Sequence, residues 1–281
     1  MHILDTRLAR KSNVFRKSAT YGLQFQKKAR RIVGRIQQGR SNRPIIVNST
    51  PKSGTHLLMQ VARALPGTLY YGGFVAQNPS LSLRRREDVE ISRKLYRVIP
   101  GEVVGAHLHY SGIIRNLLSE INALHLMIVR DPVDVLLSEA YYLGGMNPFH
   151  RMAREFKGLN ESQRINLALY GSTRIPALYP AFPNRITPYL GWLHDPSVMV
   201  VRYEELEDLE RRRSIIESIV AEFSSYRACD AQNFQALVEK GANSINREKS
   251  HTASNRPPSA CRDALKAHEL LAGVRASLGY E

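Results

Sequence analysis

The chain has little cysteine, little tryptophan and few acids. Cys229 and Cys261 are the only cysteines among 281 residues. They match no metal-ligand spacing and no disulfide framework, which suits a reducing compartment and an expected cytoplasmic location. No run of eighteen apolar residues occurs, so no transmembrane helix is expected. No repeat or low-complexity tract is present. No cluster of His, Cys, Asp or Glu has metal-ligand spacing, and no metal is expected. Acids number 25 against 40 lysines and arginines, a net charge of +15. That charge is unevenly placed: residues 1–43 carry twelve Lys or Arg and one acid, Asp5. The remainder is only mildly basic, as suits a body that binds a small polyanion. The length predicts one sizeable core with an appendage, divided here into a basic extension, 1–42, and a domain, 43–281.

The extension has helical spacing. Phe25, Ala29, Ile32, Val33 and Ile36 recur at helix period, with Lys27, Lys28, Arg30, Arg31 and Arg35 between them. Three readings stand. The extension packs one apolar stripe on the body, lies peripherally on an anionic membrane surface, or is a targeting segment. No specific nucleic-acid partner is expected, and the oligomeric state is left open.

The most informative stretch begins at Arg43. The apolar run Ile45-Ile46-Val47 leads into Asn48-Ser49-Thr50-Pro51-Lys52-Ser53-Gly54-Thr55-His56, and Leu57, Leu58, Val61, Ala62 and Leu65 follow at helical spacing. That pattern predicts a strand, an anion loop and a helix. N–H groups at a helix start converge on one spot where the dipole favours negative charge. Lys52 adds a cation, and Ser53 and Thr55 add hydroxyls, so the loop suits a phosphate-like group. It is not a Walker A loop, which needs a Gly, four residues, then Gly-Lys-Ser/Thr. An ordinary P-loop kinase or GTPase is therefore disfavoured.

A second strand-to-helix junction follows. Leu126-Met127-Ile128-Val129 runs into Arg130-Asp131-Pro132. Asp131 suits an N-cap and Pro132 the first helical turn. Arg130 falls at the strand's carboxyl end, where parallel sheets bind ligands. Ser138 lies about two helical turns further on. Between the junctions, Glu102-Val103-Val104-Gly105-Ala106-His107-Leu108-His109 reads as a short strand, with His107 and His109 on one face. A late strand, Val198 to Arg202, is followed by Tyr203-Glu204-Glu205-Leu206.

Pro51–Thr55 and Arg130 with Ser138, in this order, resemble the 5′-phosphosulfate loop and the 3′-phosphate motif of sulfotransferases that use 3′-phosphoadenosine 5′-phosphosulfate (PAPS). The resemblance runs from about Arg43 to the C-terminus. It implies that Lys52, Ser53, Gly54, Thr55 and His56 hold the 5′ end, and that Arg130 and Ser138 hold the 3′-phosphate. By the same resemblance Tyr203 lies near the adenine. His107 occupies the position of the family's catalytic base, with His109 where the family has Pro. Cytosolic members also carry a C-terminal Arg-Lys-Gly run. Here Ser250-His251-Thr252 is followed by Ala253-Ser254-Asn255-Arg256 instead, leaving Arg256, with Lys249 and Arg247 as alternatives, to serve the 3′-phosphate.

Strands are expected near 44–49, 102–108, 125–129 and 198–202. Helices are expected near 54–65, 133–143, 161–170, 212–223 and 262–277. Alternation of this kind predicts a three-layer, P-loop-like α/β fold, its central parallel sheet flanked by helices. The stretch 144–196, rich in Pro, Tyr and Gly, reads as loops that set specificity. Trp192 is expected to anchor packing, as are His125, Tyr141 and Tyr142. Arg84-Arg85-Arg86 is expected on a solvated face.

The chemistry implied is sulfuryl transfer from PAPS to a hydroxyl or amine of a small-molecule or glycan acceptor. Lys52 would stabilise the leaving group and His107 would take the proton. Two alternatives stand beside it: a P-loop phosphotransferase, and an inactive fold of this kind that binds a membrane or nucleic acid.

Overall fold

The computed structural model describes residues 2–6, 13–34, 43–224, 231–246 and 259–280. In chain order the helices and strands are α1 (Asn13–Gly34), β1 (Ile45–Ser49), α2 (Thr55–Ala64), β2 (Phe74–Ala76), α3 (Asp88–Leu95), β3 (Val103–His107), α4 (Gly112–Glu120), β4 (Leu124–Val129) and α5 (Pro132–Tyr141). They continue with α6 (Ala153–Phe156), α7 (Glu161–Tyr170), α8 (Phe182–Ile186), β5 (Val198–Arg202), α9 (Tyr203–Glu207), α10 (Leu209–Ser224), α11 (Ala231–Ser244), α12 (Ser259–Lys266) and α13 (Glu269–Ser277).

The five strands pair in parallel in the order β2-β3-β1-β4-β5. Side chains alternate across a strand, and here both faces are apolar. On β1 and β4, Ile46, Met127 and Val129 enter one core, while Ile45, Val47, Leu126 and Ile128 enter the other. The first core is closed by Ile91 and Leu95 of α3, Ile114 and Leu117 of α4, and Val133 and Leu136 of α5. The second is closed by Leu57, Leu58 and Val61 of α2 and Ile216, Ile219 and Val220 of α10. A parallel sheet needs such cover on both faces. The three-layer α/β fold expected from the alternation is the one observed.

Gly105 is where this packing needs a missing side chain. A Cβ there would lie 2.7 Å from the Phe74 ring and 2.8 Å from the Met59 sulfur, so β2 and α2 close onto β3 only over glycine.

The structure departs from the expected elements at several points. β2 falls in a stretch read as neither strand nor helix, because its three residues are too short for a period to register. The single helix expected near 262–277 is two, since His268 caps α13 through Leu270 N–H and breaks the run. β3 ends at His107, so His109 does not continue a shared strand face. Its ring instead stands edge-on to Tyr189 at 4.9 Å. Residues 144–196 carry α6, α7, α8 and a 3-10 stretch over Thr187–His194 as well as loops. Of the basic run, Arg84 and Arg85 are exposed, as expected of a solvated face, whereas Arg86 is half-buried and donates to the Ala76 carbonyl at 3.0 Å.

Trp192 is fully buried, and its Nε1–H donates to the Leu108 carbonyl at 2.8 Å. Its ring meets His125 edge-on at 4.6 Å and Tyr110 at 4.9 Å. It thereby ties the Thr187–His194 stretch to the loop leaving β3. Trp192→Ala is expected to cost about 3–5 kcal/mol through the cavity and the unpaired carbonyl. Denaturant unfolding measures this, and a loss below about 1 kcal/mol would show that the anchor is dispensable.

α1 is packed against the body. Gln24 Nε2 donates to the Tyr71 carbonyl at 2.9 Å, and Lys27 Nζ meets the buried Glu102 carboxylate at 2.7 Å. Asp5 ahead of the helix pairs with Arg63 at 2.6 Å.

Candidate active site at the carboxyl ends of three strands

β3, β1 and β4 are neighbours in the sheet, so the segments leaving their carboxyl ends converge. His107 ends β3, Lys52 lies in the loop after β1, and Arg130 follows β4. These residues are separated by up to 78 positions in sequence, and the parallel register brings them to one edge.

The loop after β1 is internally braced. Ser53 N–H donates to the Thr50 carbonyl at 3.3 Å, and the Thr50 and Ser53 hydroxyls share a short hydrogen bond. The Ser49 and Thr55 hydroxyls lie 2.5 Å apart. Ser53 and Thr55 are both buried, so their hydroxyls brace the loop before they meet any ligand. Lys52 sits in left-handed backbone, with φ 72°. Such strain in a non-glycine residue persists only where the surroundings hold it. Gly54 caps α2 at φ 101°, and a Cβ there would lie 2.4 Å from the Tyr203 ring. Glycine is therefore required twice, for the backbone angle and for the close approach of Tyr203. The Gly54 carbonyl accepts from Leu57 N–H at 2.8 Å and Leu58 N–H at 3.3 Å, which starts α2 directly at the loop. His56 projects from the same turn and is exposed.

The Lys52 ammonium rests on the Tyr142 ring, 3.9 Å from its centroid. Burial pushes Lys52 down to about 8, opposed by the Glu139 carboxylate and reinforced by Arg130. Glu139 is held by Arg185 at 2.7 Å. Tyr142 thus packs, as expected, but it packs on the site's cation.

His107 Nδ1 lies 2.9 Å from the Ser49 carbonyl and 3.2 Å from the Ser49 hydroxyl. A carbonyl only accepts, so Nδ1 carries the proton and Nε2 is left as the basic nitrogen. Phe74 meets the ring edge-on at 4.8 Å. Burial pushes His107 down to about 4, with a contribution from the Lys52 charge. The ring is neutral near pH 7.

Arg130 stacks its guanidinium on Tyr203, 4.1 Å from the ring centroid, and approaches Asp134 only at 3.8 Å. Asp134 has a closer partner, Arg262 of α12, at 2.9 Å. Among the described residues, neither Arg130 Nε nor the Ser138 hydroxyl, both buried, has a hydrogen-bond partner. Two such atoms beside a bound anion would be satisfied by its oxygens. Asp131 caps α5 through Val133 N–H at 2.9 Å, as expected. The cap is itself held by Arg275, and Asp131 N–H donates to Glu204 at 3.0 Å. Tyr280 OH donates to the other Glu204 oxygen at 2.8 Å.

The structure therefore gathers Lys52, Ser53, Gly54, Thr55, His107, Arg130 and Tyr203, with Ser138 on α5, the helix that Arg130 precedes. Arg256, Lys249 and Arg247 lie outside the described residues. Sequence reasoning missed Glu139, Arg185, Arg262 and Arg275. Each pairs across a long separation, and a lone charged residue on a helix carries no local sign of such a partner. No group of His, Cys, Asp and Glu able to hold a metal occurs among the described residues.

The sulfotransferase domain family matches residues 42–227. No curated protein matches the sequence significantly. Among solved structures, a mouse sulfotransferase, SULT7A1, complexed with PAP is 20% identical at a TM-score of 0.49, covering 76% of this chain and 68% of that one. Retinol dehydratase in complex with androsterone and inactive cofactor PAP is 16% identical at a TM-score of 0.47, covering 85% of this chain and 80% of that one.

Proposed function

This chain belongs to the sulfotransferase family, whose cosubstrate is PAPS, and from that premise we propose how its own residues carry the transfer. The reading takes residues 43–281 as the transferase unit and 1–42 as an appendage. The loop residues Ser53 to His56 and the Lys52 ammonium bind the 5′ end of the cosubstrate. Arg130 and Ser138 grip the 3′-phosphate. Tyr203, wedged between Gly54 and Arg130, borders the nucleotide.

The acceptor is a hydroxyl or amine on a small molecule or glycan. Its oxygen or nitrogen attacks sulfur in line, and the bond from sulfur to the bridging oxygen breaks. His107 Nε2 takes the acceptor's proton. Lys52 offsets the charge that gathers on the departing 5′-phosphate oxygen. The electron pair leaves with 3′-phosphoadenosine 5′-phosphate.

The observation that supports this reading best is the pair of unpartnered buried atoms, Arg130 Nε and Ser138 Oγ, projecting from the junction that matches the family's 3′-phosphate motif. Leaving a buried donor unsatisfied costs free energy. A strand-to-helix junction that keeps two is suited to an anion with several acceptor oxygens.

Calorimetric titration with 3′-phosphoadenosine 5′-phosphate tests this. Micromolar binding is expected, weakened about ten- to hundredfold by Arg130→Ala, the loss of charge-assisted hydrogen bonds. Adenosine 5′-phosphate, which lacks the 3′-phosphate, should bind about equally to both forms. Wild-type affinity in the variant, or equal preference for ATP with magnesium, would overturn the assignment.

A further inference from the structure

Over residues 15–28, α1 is attached along one side and open along the other. Gln24 and Lys27 face the body through the Tyr71 carbonyl and Glu102. Lys17, Ser18, Tyr21, Gly22, Phe25 and Lys28 face outward. Tyr21 is 76% exposed and Phe25 75%. They stand one helical turn apart, on a single ridge. The helix contains no acid, and residues 1–43 carry twelve cationic side chains against Asp5. The ridge continues onto the body, since Lys17 Nζ lies 5.4 Å from the centroid of Phe149, itself 58% exposed.

We propose that this outward ridge of α1 seats the protein on an anionic lipid bilayer. Aromatic rings favour the depth of the lipid headgroups, and cations beside them gain from the negative surface. Tyr21 and Phe25 stand one turn apart on one side of a helix attached to the body through Gln24 and Lys27, so one plane can meet both rings. Phe25 also opens the apolar series that Ala29, Ile32 and Val33 continue at helical spacing in the sequence. A single-stranded nucleic acid is bound through a groove that tracks its backbone, and a convex helical ridge offers none. No helix among the described residues is long and apolar enough to cross a membrane, so the seating is peripheral. It makes no use of the transfer chemistry and stands apart from it.

Sedimentation of the full chain with phosphatidylcholine vesicles, with and without one third phosphatidylglycerol, tests the proposal. Partitioning is expected only with the anionic lipid, weakening in high salt. The double variant Tyr21→Ser and Phe25→Ser should lower it about tenfold or more, as loss of the buried aromatic area requires. Its melting temperature and its affinity for 3′-phosphoadenosine 5′-phosphate should be unchanged, which separates a failure of seating from a failure of the nucleotide site. A second variant, Phe25→Trp, reports the ridge directly because Trp192 is buried. Its emission should shift to the blue on anionic vesicles and be quenched by brominated acyl chains. No partitioning, full partitioning of the serine variant, an unshifted Phe25→Trp, or displacement of the protein from vesicles by single-stranded RNA would each overturn the proposal.

Discussion

Replacing His107 by glutamine is expected to lower kcat by about 10²–10⁴-fold, the usual contribution of a positioned general base. Affinity for 3′-phosphoadenosine 5′-phosphate should stay within about twofold, because the proposed role of the side chain is to take the acceptor's proton and not to hold the nucleotide. Two features underlie the size of the effect. The Ser49 carbonyl holds the proton on Nδ1, so Nε2 enters the reaction unprotonated and oriented. Burial also pushes the ring down to about 4, so the proposed base is already neutral near pH 7. The acidic limb of kcat/KM, which reports the free enzyme, is therefore expected near pH 4 and not near the 6.5 of an exposed histidine. An unaltered kcat in His107→Gln, or an acidic limb at 6.5, would remove His107 from the role. The lowered value has a cost in acid. The unfolded chain binds this proton more readily than the folded one, so stability present above about pH 6.5 is lost as the pH falls toward 4.

Lys52→Ala is expected to reduce kcat by about 10²–10³-fold, the loss that follows removal of one preorganised charge at the site of developing negative charge. Unlike His107→Gln, it should also weaken nucleotide binding, since in the proposed reading the same ammonium would hold the 5′-phosphate in ground state and product. Lys52→Arg should recover little of this. The ammonium is a compact charge resting 3.9 Å from the Tyr142 centroid, and a planar guanidinium presents its donors differently. Burial lowers Lys52 to about 8, so kcat/KM is expected to fall as the pH rises through 8 and the ammonium is lost. With His107 this makes a bell with limbs near 4 and 8. Full turnover in Lys52→Ala would sink the proposed mechanism, whereas the fold and family would stand.

The junctions at Ile45–Leu58 and Leu126–Ser138 were legible because their signals are local. Runs of β-branched and apolar residues end in Lys, Gly, Asp and Pro, whose backbone and capping preferences act over one turn. β2 was not legible. Its three residues are held by pairing with Gly105 and its neighbours and have no period of their own. The break at His268 was also missed, because the apolar spacing continues across it. The Phe25 stripe was legible as a stripe, yet its direction was not. Periodicity says that one side of α1 is apolar. It does not say that Gln24 and Lys27 hold the body while Phe25 faces outward.

The sequence by itself determined the α/β class, the sulfotransferase resemblance and the residue types at the two phosphate junctions. Those follow from chain chemistry within a few residues. Only the tertiary structure decided that Lys52 rests on Tyr142, that Asp134 lies closer to Arg262 than to Arg130, and that His107 leaves β3 against the Ser49 carbonyl. Such pairings join residues far apart in the chain. Desolvation and hydrogen bonding choose among many chemically equal partners only once packing has set which of them meet.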